Sequence, residues 1–226
     1  MFAGLQPLLS RLPTPNPFAN DKVHALAAFQ NLEHDIQVSQ PSLRYNELLT
    51  LAYKAFAKSL SLPEPSDEEA KSFGSQIGSW TAFPDTVPAL KALKKRYKLA
   101  ILSNIDNDSI ARTISGPLSG VEFDAVYTAQ EIGSYKPDLK NFQYLIDGVK
   151  KDLGVEKHEI LHTAQSLRAD LLSAKSIGLS GTWIDREGRE EKFQKLKDKL
   201  DFTWRFGSMG EMAESVEKAF VESKEE

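Results

Sequence analysis

At 226 residues, with 28 Lys+Arg against 32 Asp+Glu and a formal net charge of −4, the chain can bury a core without a covalent staple and carries no basic excess for nucleic acid. It has no cysteine, which excludes disulfides, thiolate metal sites and a cysteine nucleophile. The opening run Met1–Leu9 is apolar, but it lacks a basic leader and is broken by Gly4 and Pro7, a poor signal peptide. No apolar run approaches the roughly 20 residues that cross a bilayer, so a soluble, cytoplasmic protein is expected. From about residue 18 to 75 the pattern is helical only. Val23, Leu26, Ala27 and Gln30, then Leu48, Leu49, Ala52, Phe56 and Leu60, keep the period of one buried helix face. Pro13, Pro15 and Pro17 precede this block, Pro63 and Pro65 punctuate it, and the acidic end Glu222–Glu226 closes the chain.

After Trp80–Pro84 the pattern changes. A helix over Val87–Arg96 leads to a strand over Leu99–Ser103, a helix near Ser109–Ser115 and a strand over Ala125–Thr128. A helix over Leu139–Lys150, a strand over Ile160–Ala164, a helix over Arg168–Ile177 and a strand over Gly181–Ile184 follow. Short apolar strands that alternate with helices predict an α/β fold, a Rossmann-like parallel sheet covered on both faces. Ligands of such sheets lie beyond the carboxyl ends of the strands.

Three strand-end segments carry candidate chemistry. Ser103-Asn104-Ile105-Asp106-Asn107-Asp108 puts a hydroxyl and an amide at a strand tip before a helix whose free N–H groups suit an anion, although Asn104 and Asp108 serve equally well as a turn and an N-cap. Tyr135-Lys136-Pro137-Asp138 precedes a helix that Asp138 can cap, and Lys136 alone reads as a surface charge. Thr163–Asp170 ends a strand in polar residues with Asp170 about one helical turn on, and it too can be no more than a capped helix. His162, inside an apolar strand, reads as a satisfied core histidine.

Together, in this order and at these separations, the strings Ile101–Thr113, Tyr127–Phe142 and His162–Arg186 resemble motifs II, III and IV of the haloacid dehalogenase-like (HAD) hydrolase superfamily, nearest its type II 2-haloacid dehalogenase branch. The resemblance implies a HAD-like core with a helical cap: 1–17 as the link from core to cap, 18–78 as the cap, 79–226 as the core, with Ala82–Val87 as the return between them. It implies substrate-binding roles for Ser103, Asn104, Gln165 and Ser166. Lys136 neutralises charge on the nucleophile and the intermediate, and Asp170 orients Lys136 and the hydrolytic water. The implied chemistry is displacement of halide by an aspartate, or capture of a phosphoryl group, followed by hydrolysis of the covalent ester.

The same resemblance shows departures. Motif I, a strand ending in the nucleophilic Asp with Gly-Thr shortly after, is not in this sequence, and Asp21, Asp35, Asp85, Asp106 and Asp108 occupy other places. Met1 is then expected to be an internal methionine of a longer protein, and the chain as given to be an inactive relative of a hydrolase. Gln165 stands five residues before Asp170, where the magnesium-dependent phosphatases have a second acid, so no cofactor and no magnesium are expected. Phe142 replaces a tyrosine and Leu167 an asparagine of the bacterial dehalogenases. The expected partner is a small-molecule carboxylate or phosphate, with no nucleic acid or membrane and a homodimer left open. The alternatives are a small-molecule phosphatase and a non-catalytic anion-binding protein. Motif I is the family's central strand, so strands 99–103 and 160–164 are expected not to pair: either they stand apart by about two strand spacings, roughly 9.6 Å, or Met1–Leu9 or a partner strand lies between them.

Overall fold

The structure, a computed structural model, describes residues 1–226 except 14, 17, 19, 20, 189 and 224–226, and at 192 describes the backbone only. Pro17 and the last three residues of the acidic end therefore lie outside the described residues. In chain order the elements are α1 (Phe2–Leu9), α2 (Lys22–Ser39), α3 (Tyr45–Ser59), α4 (Asp67–Ser75), α5 (Thr86–Lys94), β1 (Ala100–Ser103), α6 (Asn107–Ser115), β2 (Ala125–Thr128) and α7 (Ala129–Ile132). Then come α8 (Leu139–Leu153), β3 (Leu161–Ala164), a π-helical turn (Leu167–Leu171), α9 (Leu172–Ser176), β4 (Ser180–Ile184), α10 (Glu190–Gln194), β5 (Trp204–Phe206) and α11 (Met209–Glu222). The chain forms two compact units. One joins Met1–Thr81 with Asn104–Pro117 and Ala129–Gly133; the other joins Ala82–Ser103, Leu118–Thr128 and Ser134–Glu226.

The first unit is helical because its apolar residues recur at helical spacing and its starts are capped. Asp21 accepts from the His24 N–H at 2.8 Å, and Ser66 accepts from the Glu69 N–H at 3.1 Å ahead of the acidic turn Asp67–Glu69. Leu48, Leu49, Ala52 and Phe56 of α3 are buried as their period requires. Phe29 sets its ring edge against Phe56 at 5.7 Å and against Phe73 at 5.4 Å, and Tyr53 stacks on Phe73 at 4.7 Å. The crossing of α3 and α4 depends on Gly74, where an added Cβ would lie 2.3 Å from the Asn46 carbonyl oxygen and 2.5 Å from Thr50 Oγ1. Because the nearer obstacle is backbone, Gly74→Ala should destabilise by about 1–3 kcal/mol and lower the thermal midpoint by several degrees. An unchanged midpoint in a calorimetric scan would show that the helices do not pack this closely.

The second unit holds two parallel sheets. In one, β1 pairs with β2, Ser103 opposite Thr128; in the other the order is β3-β4-β5, with Thr163 opposite Thr182. Both sheets share the same covering layers. Leu99 and Leu161 pack with Ala89 and Leu93 of α5 and Met212 and Ala213 of α11; Leu102 and Ile160 pack with Phe142 and Ile146 of α8 and Ala174 of α9. As expected, β1 and β3 form no ladder with each other. Met1–Leu9 is not a strand filling that place. It forms α1 in the helical unit, because Leu5, Leu8 and Leu9 fall at i, i+3 and i+4 and are all buried. Arg168–Ile177 is also not one regular helix: it opens with the π-helical turn, whose Leu171 N–H donates to Ser166 O at 3.2 Å. The strand β5 and the helices α7, α10 and α11 are additions to the sequence reading.

A fork of two 2.8 Å hydrogen bonds from Arg186 to Asp85 ties the end of β4 to the start of α5, and the Gly210 N–H adds a third at 3.1 Å. The Arg186 bonds hold the Asp85 carboxyl at about 2, against the opposing effect of partial burial. A carboxyl lowered in the fold contributes stability above its unfolded value and loses it as pH falls toward the folded one. The contribution is at most about 2 kcal/mol by linkage and about 1 after solvent screening. Asp85→Asn should therefore cost about 1 kcal/mol at pH 7 and almost nothing near pH 2, read by urea unfolding. A cost that persists at the acid end would assign the effect to packing instead.

Candidate active site

The loop after α7 carries Lys136 inward. Its Lys136–Pro137 peptide is cis, and the loop is fastened at both ends. Ser134 donates to Asp138 at 3.0 Å, Asp138 caps α8 through the Lys140 N–H at 2.9 Å, and Ser173 donates to the Pro137 carbonyl at 3.0 Å. Asp138 is the cap the sequence suggested, whereas Lys136 is not a surface charge: it is 9 % exposed. Its Nζ donates to the Leu102 carbonyl of β1 at 2.9 Å and to Asp170 Oδ1 at 2.5 Å. The bridge therefore joins the end of one sheet to the loop beyond the other.

Asp170 is 7 % exposed in the π-helical turn, and His162 Nε2 lies 3.1 Å from the same Oδ1. An ionised carboxylate only accepts, so His162 is the donor. Burial acts to raise the Asp170 carboxyl. The His162 hydrogen bond and the Lys136 charge together outweigh it and hold the group below the usual carboxylate range.

Ser103 ends β1 and is half-buried, one residue from the carbonyl that receives Lys136; Asn104 follows at the tip. Gln165 is exposed, and its carbonyl accepts from Trp183 Nε1 at 3.2 Å, which anchors the turn. Ser166 Oγ accepts from the Ala169 N–H at 3.1 Å as an N-cap and keeps its own proton to donate. The structure thus brings Lys136 and Asp170 into contact beside the end of β1, with Gln165 and Ser166 in the turn that presents Asp170. The cap of α6 is not Asp108 but Asp106, 1 % exposed, which accepts from Ser109 N at 2.8 Å and Asn46 N at 3.2 Å. The sequence reading left out His162 as a member of this group. The available signal was that a buried imidazole needs a polar partner and Asp170 is the next acid along the chain.

Among the described residues no cluster of three His, Asp or Glu side chains is placed to hold a metal ion, and no helix is long and apolar enough to cross a membrane.

The profile of the haloacid dehalogenase-like hydrolases matches residues 16–178. (S)-2-Haloacid dehalogenase 4A of Burkholderia cepacia is 28 % identical over 124 residues, 54 % of this chain and 52 % of that protein. Pyrimidine 5'-nucleotidase YjjG of Escherichia coli is 23 % identical over 134 residues, 58 % of this chain and 55 % of that protein. The chain spans about half the length of the curated relatives it matches. The solved L-2-haloacid dehalogenase of Xanthobacter autotrophicus superposes with a TM-score of 0.70 at 18 % identity, over 94 % of this chain and 93 % of that one. That likeness is one of fold.

Proposed function

The chain belongs to the haloacid dehalogenase-like hydrolases, on the side of the type II 2-haloacid dehalogenases, and from that premise we propose a metal-independent site for a small 2-substituted carboxylic acid. Ser103 and Asn104 hold the substrate carboxylate, Lys136 meets the negative charge that develops near the reacting carbon, and Asp170 orients Lys136. The observation that carries this reading is the buried pair of Lys136 and Asp170 at 2.5 Å, because a fixed cation in a dry cleft is what stabilises such charge.

In the family chemistry a carboxylate oxygen bonds to carbon as the carbon–halogen bond breaks and halide leaves; water then cleaves the ester to a 2-hydroxy acid, releases a proton and restores the carboxylate. Asp170 is unsuited to that attack, since its Oδ1 is held by Lys136 and His162. Asp106 and Asp138 cap helices, Asp85 is forked by Arg186, and Asp185 is bound by Arg205 at 2.6 Å. We therefore read these 226 residues as an anion-binding site without its own nucleophile. Titration of the protein with (S)-2-chloropropionate, followed by NMR, tests the reading: shifts at Ser103, Asn104 and the Lys136 side chain support it, and saturable binding elsewhere with none there overturns it.

The likeness to a nucleotidase favours a second reading, a phosphatase of the same family. Magnesium does not fit the residues present. Asp170 Oδ1 already faces two donors, and Gln165 offers a neutral amide, a weak ligand for a hard cation. Millimolar magnesium should leave the melting midpoint unchanged. A rise that Asp170→Asn abolishes would restore the phosphatase reading.

A further inference from the structure

We propose that His162 is a positioning residue, holding the Asp170 carboxylate so that the Lys136 ammonium stands at the carboxyl end of β1. The proposal rests on the reading of Lys136 as the anion-binding cation. Four groups form one line across the second unit: His162 on β3 meets Asp170 Oδ1 at 3.1 Å, Asp170 meets Lys136 Nζ at 2.5 Å, and Lys136 meets the Leu102 carbonyl of β1 at 2.9 Å. All three side chains are buried, and β1 and β3 share no ladder that would fix this distance by backbone. The side chains are thus a direct polar link between the two sheet ends.

The imidazole is itself held. Its ring meets the fully buried Phe142 ring edge-on at 5.2 Å and 62°, and Phe142 lies on α8, the helix that begins two residues after the Lys136–Pro137 bond. One helix therefore fixes both ends of the line, the lysine loop through the Asp138 cap and the histidine ring through Phe142. Between them the carboxylate has one soft torsion about its Cβ–Cγ bond. Both hydrogen bonds fall on Oδ1, so the His162 donor decides which way that oxygen points. Without the donor the carboxylate turns and takes the lysine with it, away from Ser103. A purely structural histidine would need only its volume against Phe142; a positioning one needs its Nε2 proton.

The experiment uses the full chain, labelled with 15N and 13C, and chloroacetate as the probe. In the unmodified protein His162 should carry its proton on Nε2, and the buried Lys136 Nζ should give a slowly exchanging signal. His162→Gln, which keeps an N–H donor near the same place, should retain that signal and bind chloroacetate within about threefold. His162→Leu, which keeps the apolar contact with Phe142, should lose the signal and bind about tenfold more weakly, the usual consequence of one lost hydrogen bond to a charged group. An Nδ1-protonated ring in the unmodified protein, or a Lys136 signal that survives His162→Leu, overturns the proposal. If the signal follows His162 as stated but chloroacetate binds to none of the proteins, the positioning role stands and the carboxylate-site reading falls.

Discussion

Assayed on (S)-2-chloropropionate, the purified 226-residue chain should release no halide above the buffer rate, and it should hydrolyse no aryl phosphate either. Rate enhancements of about 10⁶-fold or more require a reaction path of low barrier, which in this family begins with carboxylate attack. On the proposed reading, what these residues supply is electrostatic. Lys136 can stabilise developing charge, a contribution on the order of 10²–10³-fold in favourable sites, but only for a nucleophile already in place. The acids at the strand ends are committed to caps or ion pairs, and Asp170 faces two donors. Ion chromatography of chloride over a day at pH 8 to 9 is sensitive enough to decide. Turnover that disappears in Lys136→Ala would show that the site does chemistry unaided. As the converse test, a protein extended ahead of Met1 by a strand ending in Asp, with Gly-Thr shortly after, should gain release on the proposed reading of Lys136 as the cation of the site.

Much of this architecture is legible in the residues because the physics is local. The apolar runs at 125–128 and 181–184 are strands within a residue of their expected bounds, and Asp138 caps α8 where its position before Leu139 says it should. The α11 helix was legible too. Ser208 caps it, accepting from the Glu211 N–H at 3.1 Å, Glu211 accepts from Gly207 N at 2.6 Å, and Met212, Ala213 and Val216 follow at helical spacing. The strand β5 was not, since three residues with a half-exposed Trp204 show no period of their own. Burial of a charge is the other thing sequence does not carry. Lys136 looks like any loop lysine until Asp170, 34 positions on, comes within 2.5 Å, and His162 looks like a core residue until its partner is known. Long-range pairing decides both, and Gln165 and Ser166 likewise owe their place to a π-helical turn that no local pattern announces.

The largest stability effect should come from removing one member of the Lys136–Asp170 pair. Asp170→Ala leaves the ammonium buried with the Leu102 carbonyl and without its counter-charge, a change that typically costs about 3–5 kcal/mol. For a chain of this size that is roughly 6–20 °C in melting midpoint, against a total stability of about 5–15 kcal/mol. Removing both charges should cost much less. In Lys136→Met with Asp170→Leu neither group needs solvent and both replacements fill space, so the double variant should recover most of the loss. The pH dependence has a fixed sign. Burial opposes the Asp170 charge, but His162 and Lys136 hold the carboxyl below the ordinary range, so its contribution is present above the unfolded carboxyl value and is lost as pH falls through the folded one. The stability gap between wild type and Asp170→Ala should therefore be widest near pH 7 and narrow steadily below about pH 4, measured by urea unfolding at each pH. A gap independent of pH would mean that Asp170 acts through packing rather than through its charge, and a double variant as unstable as Asp170→Ala would mean that the pair does not act as a unit.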